Sequence, residues 1–297
     1  MAIYSLENTK LAILVDSFGA ELKSLRDISG DLEYMWNGDP AYWDRTSPVL
    51  FPLVGRLNND CFRYEDKVYP MKKHGFAMDQ EFELLCQTER ELRFLLRAKE
   101  ETREEYPFDF TFEQGYRFDE EAENRLIVSW RVKNCGSRDM YFSIGGHPGF
   151  RCPIDGRGKQ TGHRLLFDTK DKIVSGVVGK GSLLTGRTKE FALQDGILEI
   201  SAGLFDEDAL ILQRDQVHRV SLCDAGGNPY VTVSFDAPVA AIWAPAGKNA
   251  PFICIEPWYG RCDRENFTGE LSQREYGNTL APSGEFYAEY SITVLAE

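Results

Sequence analysis

The chain has 297 residues, of which 42% are hydrophobic and 12% aromatic. A chain of this length buries about 75% of its unfolded surface, which excludes the disordered and fibrous classes. With 34 basic against 47 acidic residues the net charge is −13, a field that repels phosphate backbones and anionic lipid surfaces and argues against nucleic-acid and membrane partners.

The opening Met1-Ala-Ile-Tyr-Ser-Leu-Glu-Asn8 has no basic segment leading into an apolar one, so no secretory signal is visible. Residues 41–46 offer a short helical candidate. Phe110-Thr-Phe-Glu and Tyr116-Arg-Phe-Asp, the polar turn Glu120-Glu-Ala-Glu-Asn124 and the return Leu126-Ile-Val-Ser-Trp-Arg-Val132 spell a hairpin. A second hairpin joins residues 217–223 to 230–235 through Ala225-Gly-Gly-Asn-Pro229. The longest apolar stretch, residues 237–246, contains two prolines and is about half of what a membrane span requires. Residues 265–276 form a second helical candidate. At the C-terminus, Phe286, Ala288, Tyr290, Ile292 and Val294 alternate with Glu289, Ser291 and Thr293, the period of a half-buried strand.

Strand periodicity thus dominates, no Ser-rich or charged linker interrupts it, and the expected fold is all-β: a large sandwich or barrel with a few short helices, in one domain over residues 1–297. Seven cysteines, an odd number without a C-x-x-C pair, predict free and mostly buried thiols in a reducing, cytoplasmic setting.

Several familiar motifs fail. Gly176-Val-Val-Gly179-Lys180 has two residues where a phosphate loop has four between its glycines, and reads as a flexible turn. Tyr141-Phe-Ser143-Ile-Gly145 puts tyrosine where a nucleophile elbow needs glycine. His74, His147, His163 and His218 form no H-x-x-x-H pair, so spacing predicts no metal site. His163 and His218 sit among polar residues and read as surface groups.

Three segments place ionisable residues inside Gly/Pro/aromatic surroundings. In Ser47-Pro-Val-Leu-Phe-Pro-Leu-Val-Gly55-Arg56, later followed by Lys73-His74-Gly75-Phe76, Arg56 ends an apolar run. Its guanidinium either meets a sugar hydroxyl or carboxylate, or pairs with a surface acid at a strand end. In Ser143-Ile-Gly-Gly146-His147-Pro148-Gly149-Phe150, His147 is either a general acid with a pKa near neutral or a histidine bonded to a turn carbonyl. In Phe252-Ile-Cys-Ile255-Glu256-Pro257-Trp258-Tyr259-Gly260, Glu256 is held extended before proline. Poor solvation there raises its pKa and makes it a proton acceptor at neutral pH, unless it caps a turn or pairs with Arg261.

Together, Phe51-Pro-Leu-Val-Gly-Arg56, His74-Gly-Phe76, Gly146-His147-Pro148 and Glu256-Pro-Trp258 resemble the aldose 1-epimerase (galactose mutarotase) family, most closely its LacX-like branch. The resemblance implies a β-supersandwich and cofactor-free interconversion of the α and β anomers of a free aldose. It implies Glu256 as general base, His147 as general acid, and His74 and Arg56 as substrate-binding positions. A further hydroxyl-binding carboxylate is expected at Asp208, with Asp206 as the alternative. Trp258, Trp43 or Phe150 could stack on a pyranose face. In relatives acting on hexose 6-phosphates the His-Gly-Phe-Ala segment continues with arginine. Met78 stands there instead, which favours a free sugar over a phosphorylated one, although Arg45, Arg56 and Lys73 could supply positive charge. The alternatives are a hexose-6-phosphate mutarotase, a non-catalytic carbohydrate-binding protein, and a lyase or hydrolase on a similar sandwich, which would want two well-placed carboxylates. The expected partner is a small sugar, and the expected state a monomer or homodimer.

Overall fold

In the terminal strand Glu285–Val294, Ala288, Tyr290, Ile292 and Val294 are buried and the intervening residues lie half-exposed, as the alternation predicts. The computed structural model describes residues 1–28, 32–179 and 181–295; Lys180 lies outside them, and Gly176 to Val178, read as part of a flexible turn, belong to the strand Lys172–Val178. The terminal strand pairs antiparallel with Arg125–Asn134, which pairs with Phe110–Phe118 to complete the first hairpin. On its other side runs Pro229–Phe235, joined to Arg219–Cys223 as the second. These strands are the centre of a nine-stranded sheet.

An eight-stranded sheet covers it. Its middle strands are Leu210–Gln213, Val239–Trp243 and Phe252–Tyr259, all antiparallel, followed by the short Ile144–Gly146 and Val49–Leu50. Leu210, Leu212, Ala240, Ile242, Ile253 and Ile255 face inward and share one apolar cluster with Val128, Trp130, Val231, Val233 and Ile292 of the nine-stranded sheet. The residues between them, Ile211, Val239, Ala241 and Trp258, belong to a separate cluster on the outer face. That outer face holds the site described below.

Phe51 sits at the heart of the inner cluster, fully buried, with its ring 4.9 Å from that of Phe112 and 5.1 Å from that of Phe110. Phe51→Ala should cost about 3–5 kcal/mol, read as a lower denaturant midpoint at unchanged slope. A loss under about 1 kcal/mol would mean that the neighbouring rings collapse into the space.

Both helical candidates are corrected. Residues 41–46 form turns, because the Thr46 and Ser47 amides donate to the Glu21 carboxylate at 2.6 and 3.0 Å rather than into a helix. Residues 265–276 contain only the 3-10 turn Leu271–Gln273, with the Glu265 amide committed to the Leu184 carbonyl. The α-helix among the described residues is Glu100–Glu105, whose sequence EETREE has no apolar stripe to announce it. All seven cysteines are free, and Cys152, Cys223, Cys254 and Cys262 are buried. Among the described residues no helix is long and apolar enough to cross a membrane.

Candidate active site

The strand Phe252–Tyr259 has two partners on one side, Gly149–Arg151 at its start and Ile144–Gly146 at its end. Between them the chain bulges out through His147 and Pro148. The Ile255 amide still reaches the Pro148 carbonyl at 3.3 Å, and the next amide on that side would belong to residue 257. Proline stands there and has no N–H to leave unpaired, so the ladder can open. The opening sets the His147 side chain against Glu256, with Nε2 and Oε2 3.3 Å apart.

Both groups are buried, Glu256 at 1% and His147 at 7% exposure. The His147 ring lies 4.7 Å from that of Trp43 and 5.4 Å, edge-on, from that of Trp243. In this apolar setting burial pushes the Glu256 carboxyl well above its usual range, with the Lys73 ammonium and the Trp258 indole pulling the other way. Burial, reinforced by Lys73, lowers His147 to about 3. The Glu256 shift runs in the expected direction, whereas His147 is driven below the near-neutral value expected of a general acid. These directions favour the neutral pair, with the His147 imidazole uncharged and the proton on the Glu256 carboxyl. Arg261 is not its partner: that guanidinium bonds Glu275 and the Cys262 carbonyl.

His74 arrives from the opposite wall, its ring 5.6 Å from that of His147. Its amide donates to the Gly55 carbonyl at 3.0 Å, and the Gly55 amide donates to its Nδ1 at 3.2 Å. An Nδ1 that accepts carries no proton, so the neutral ring bears its hydrogen on Nε2 as a donor. Burial keeps the ring neutral by holding its pKa well below the usual value, with Lys73 and His147 adding to the shift. The loop carrying Gly55 is tied in place by Ser143 and Arg274. The Ser143 hydroxyl accepts from the Val54 amide at 2.7 Å, and Arg274, buried on Asp263 at 2.8 Å, also donates to the Val54 carbonyl. Ser143 therefore fastens a loop.

These groups line a cavity of about 240 Å³ on the outer face of the eight-stranded sheet, below the range of drug-sized pockets and suited to one small ligand. Asp208 is on its wall, accepting from the Ser182 hydroxyl at 2.8 Å and from the Ala209 amide at 2.9 Å, whereas Asp206 is exposed outside it. Trp258 and Trp43 line it. Phe150 does not: it is fully buried in the inner cluster, a correction to its reading as a stacking surface. Arg56 reaches the rim, but its guanidinium is held bidentately by Asp60 at 2.7 and 2.8 Å and is 40% exposed, the surface-pair arrangement rather than a buried one. His163 and His218 lie elsewhere, His163 half-buried and His218 exposed.

Sequence reasoning missed Ser182, Trp243 and Cys262, all on the cavity wall. Trp243 had a signal: in Val239–Trp243, residues 239, 241 and 243 share the face of Glu256, but with both faces apolar the alternation is silent.

The sequence profile of the family described as aldose 1-epimerase matches residues 2–287. Protein LacX of Lactococcus lactis subsp. lactis is 28% identical over 299 residues, covering 98% of both chains. A galactose mutarotase related enzyme from Lactobacillus acidophilus superposes with a TM-score of 0.91 at 34% identity, over 99% of this chain and 98% of that one. A galactose mutarotase-like protein from Lactobacillus casei gives 0.90 at 26% identity, over 99% of this chain and 100% of that one.

Proposed function

The chain belongs to the aldose 1-epimerase family, and from that premise we propose that it interconverts the α and β anomers of a free aldose, with Glu256 and His147 passing the protons. The observation that carries this reading is the 3.3 Å approach of His147 Nε2 to Glu256 Oε2 at the floor of a sugar-sized cavity. The two oxygens that exchange protons during ring opening, the anomeric hydroxyl and the ring oxygen, are bonded to one carbon and demand two groups set equally close.

In the ring-opening direction the carboxylate of Glu256 takes the proton of the anomeric hydroxyl, and the electron pair of that O–H bond becomes the C1 carbonyl. The C1–O5 pair moves to O5, which takes the proton of His147. The open-chain aldehyde then faces a protonated Glu256 and a neutral His147, the pairing that burial favours. Rotation about C1–C2 and reversal of both transfers gives the other anomer. Turnover on a cyclic sugar begins when the proton crosses from Glu256 to His147, and hydroxyls bonding the carboxylate lower its pKa and favour the crossing. His74 Nε2–H and the Asp208 carboxylate serve as donor and acceptor to sugar hydroxyls.

A neutral sugar fits the charges better than a phosphorylated one. Arg45 is engaged by Asp79 and the Met78 carbonyl, Arg56 by Asp60, and Met78 itself lines the cavity. Only Lys73, among the described residues, reaches the cavity as a cation with no ion-pair partner, and a phosphate dianion normally takes more than one. Magnetisation-transfer NMR on equilibrated glucose, galactose and glucose 6-phosphate tests the reading. Accelerated exchange, fastest with a neutral sugar, is expected. Folded protein that speeds none of the three would leave a binding protein of the same fold.

Asp208→Ala should raise KM about tenfold or more, since a lost hydrogen bond to a charged group is worth ~1.5–3 kcal/mol, with kcat less affected. Asp206→Ala should change neither. Equal effects from the two would remove Asp208 from the site.

A further inference from the structure

Cys254 has no part in the proton traffic, yet it stands two residues before Glu256 on one strand and therefore on the same face. Its Sγ, a ring nitrogen of His147 and a carboxylate oxygen of Glu256 all lie within 4.8 Å of one another, and all three residues are buried. We propose that Cys254, His147 and Glu256 form a site for a thiophilic divalent cation of the zinc class, and that its occupation arrests the enzyme.

The donor set is the first argument. Thiolate, imidazole and carboxylate together select zinc-like ions over calcium or magnesium. Zinc bond lengths put tetrahedral donor atoms roughly 3.3–3.8 Å apart. The His147–Glu256 separation of 3.3 Å already matches, and a contraction of about 1 Å brings in the sulfur. Charge is the second. A divalent cation with one thiolate and one carboxylate is neutral, which suits a floor walled by Trp43, Trp243 and Phe252 and avoids an uncompensated buried charge. The third is a loosely held carboxyl oxygen: Glu256 Oε2, in a residue 1% exposed, lies 3.3 Å from the His147 ring nitrogen without meeting hydrogen-bond geometry. Glu256 and His147 both line the cavity, from which a water or a sugar hydroxyl can supply a fourth donor.

Binding replaces two protons, one from the Cys254 thiol and the one held by the Glu256–His147 pair, and both pass to solvent. The cation then occupies the carboxylate and the imidazole lone pair that ring opening needs. Inhibition thus rests on the functional reading above, whereas binding does not.

The test is a cadmium titration of the whole protein, following the thiolate-to-metal charge-transfer absorption together with anomer exchange. One equivalent of Cd²⁺ should produce the band and suppress exchange in parallel, and a chelator should reverse both. Cys254→Ala and Cys254→Ser should keep the exchange rate of the metal-free protein and lose the band. Each should need more than 100-fold more cation for inhibition, beyond the roughly 10–100-fold that loss of an outer partner costs. A band that persists in both variants, or none in the wild type, overturns the proposal. A band lost in the variants from a wild type without exchange activity keeps the metal site and refutes the mutarotase reading.

Discussion

Glu256→Gln should lower kcat for anomer exchange by about 10²–10⁴-fold, the usual contribution of a positioned acid or base, with KM close to wild type. Glutamine keeps the shape and hydrogen-bonding groups of the protonated acid that burial favours, so the variant should fold with little change in stability. It cannot take a proton from the anomeric hydroxyl. The pH profile makes the claim sharper. With His147 lowered to about 3 and Glu256 raised, the free enzyme holds one proton on the pair from about pH 3 up to the carboxyl's elevated value. A catalytic histidine of ordinary pKa would impose an acid limb near pH 6.5 on kcat/KM. Here kcat/KM should be flat through that region and fall only on the alkaline side, when Glu256 loses its proton. An acid limb near 6.5 would show that His147 titrates normally and that the resting pair is ionic. Stability carries the same signature with opposite slopes. Below pH 6.5 the unfolded chain protonates His147's imidazole while the native one does not, so stability falls as pH drops toward 3. Above about 4.5 the unfolded chain ionises the Glu256 carboxyl while the native one holds the proton, so that contribution falls as pH rises.

The all-β character was legible because period-2 alternation is local. Glu285–Val294 and the two hairpins have one face in the core and one half-wet, and the pattern writes itself into the residues. The strand Phe252–Tyr259 has apolar residues on both faces, so its sequence announces burial without saying which side holds a cavity. Proline 257 marked an irregularity, but that it fits a gap in the ladder opposite His147 is a fact of pairing. For Asp208 over Asp206 the sequence offered only a place directly before an apolar strand, and that Asp208 rather than Asp206 lines the cavity is a fact of the fold. The helical candidates failed for a different reason. Their amides are claimed by distant acceptors, Glu21 for Thr46 and Leu184 for Glu265, and no local propensity registers such competition.

Arg56 shows the limit from the other side. An arginine after glycine at the end of an apolar run suggested a buried guanidinium, but Asp60, four residues on, folds back to hold it at the rim. Its role at the cavity is then electrostatically quiet, a pair of near-zero net charge, and Lys73 supplies the net positive field felt by Glu256 and His147.

Gly75→Ala should cost about 2–5 kcal/mol: ~1–2 for an L-residue in the left-handed region and ~1–3 for overpacking. Gly75 has φ +75°, and a Cβ there would lie 2.3 Å from the Phe51 carbonyl oxygen and 2.7 Å from the Pro52 nitrogen. Those are backbone atoms with nowhere to retreat, because the same Phe51 carbonyl accepts the Phe76 and Ala77 amides at 3.0 Å each. Relief requires parting the Phe51 segment from the His74 loop, and His74, itself at φ +71°, is presented by that junction. Activity should therefore fall along with stability, whereas Phe51→Ala empties core and leaves the junction's backbone bonds in place. Gly162→Ala supplies the control. Its φ is +88° but a Cβ there meets nothing within 4 Å, so it should lose only the conformational ~1–2 kcal/mol and keep full exchange activity. Denaturant melts of the two variants decide the matter. Equal losses would assign the whole cost to backbone conformation, and the interlock of the two loops would no longer explain how His74 is held.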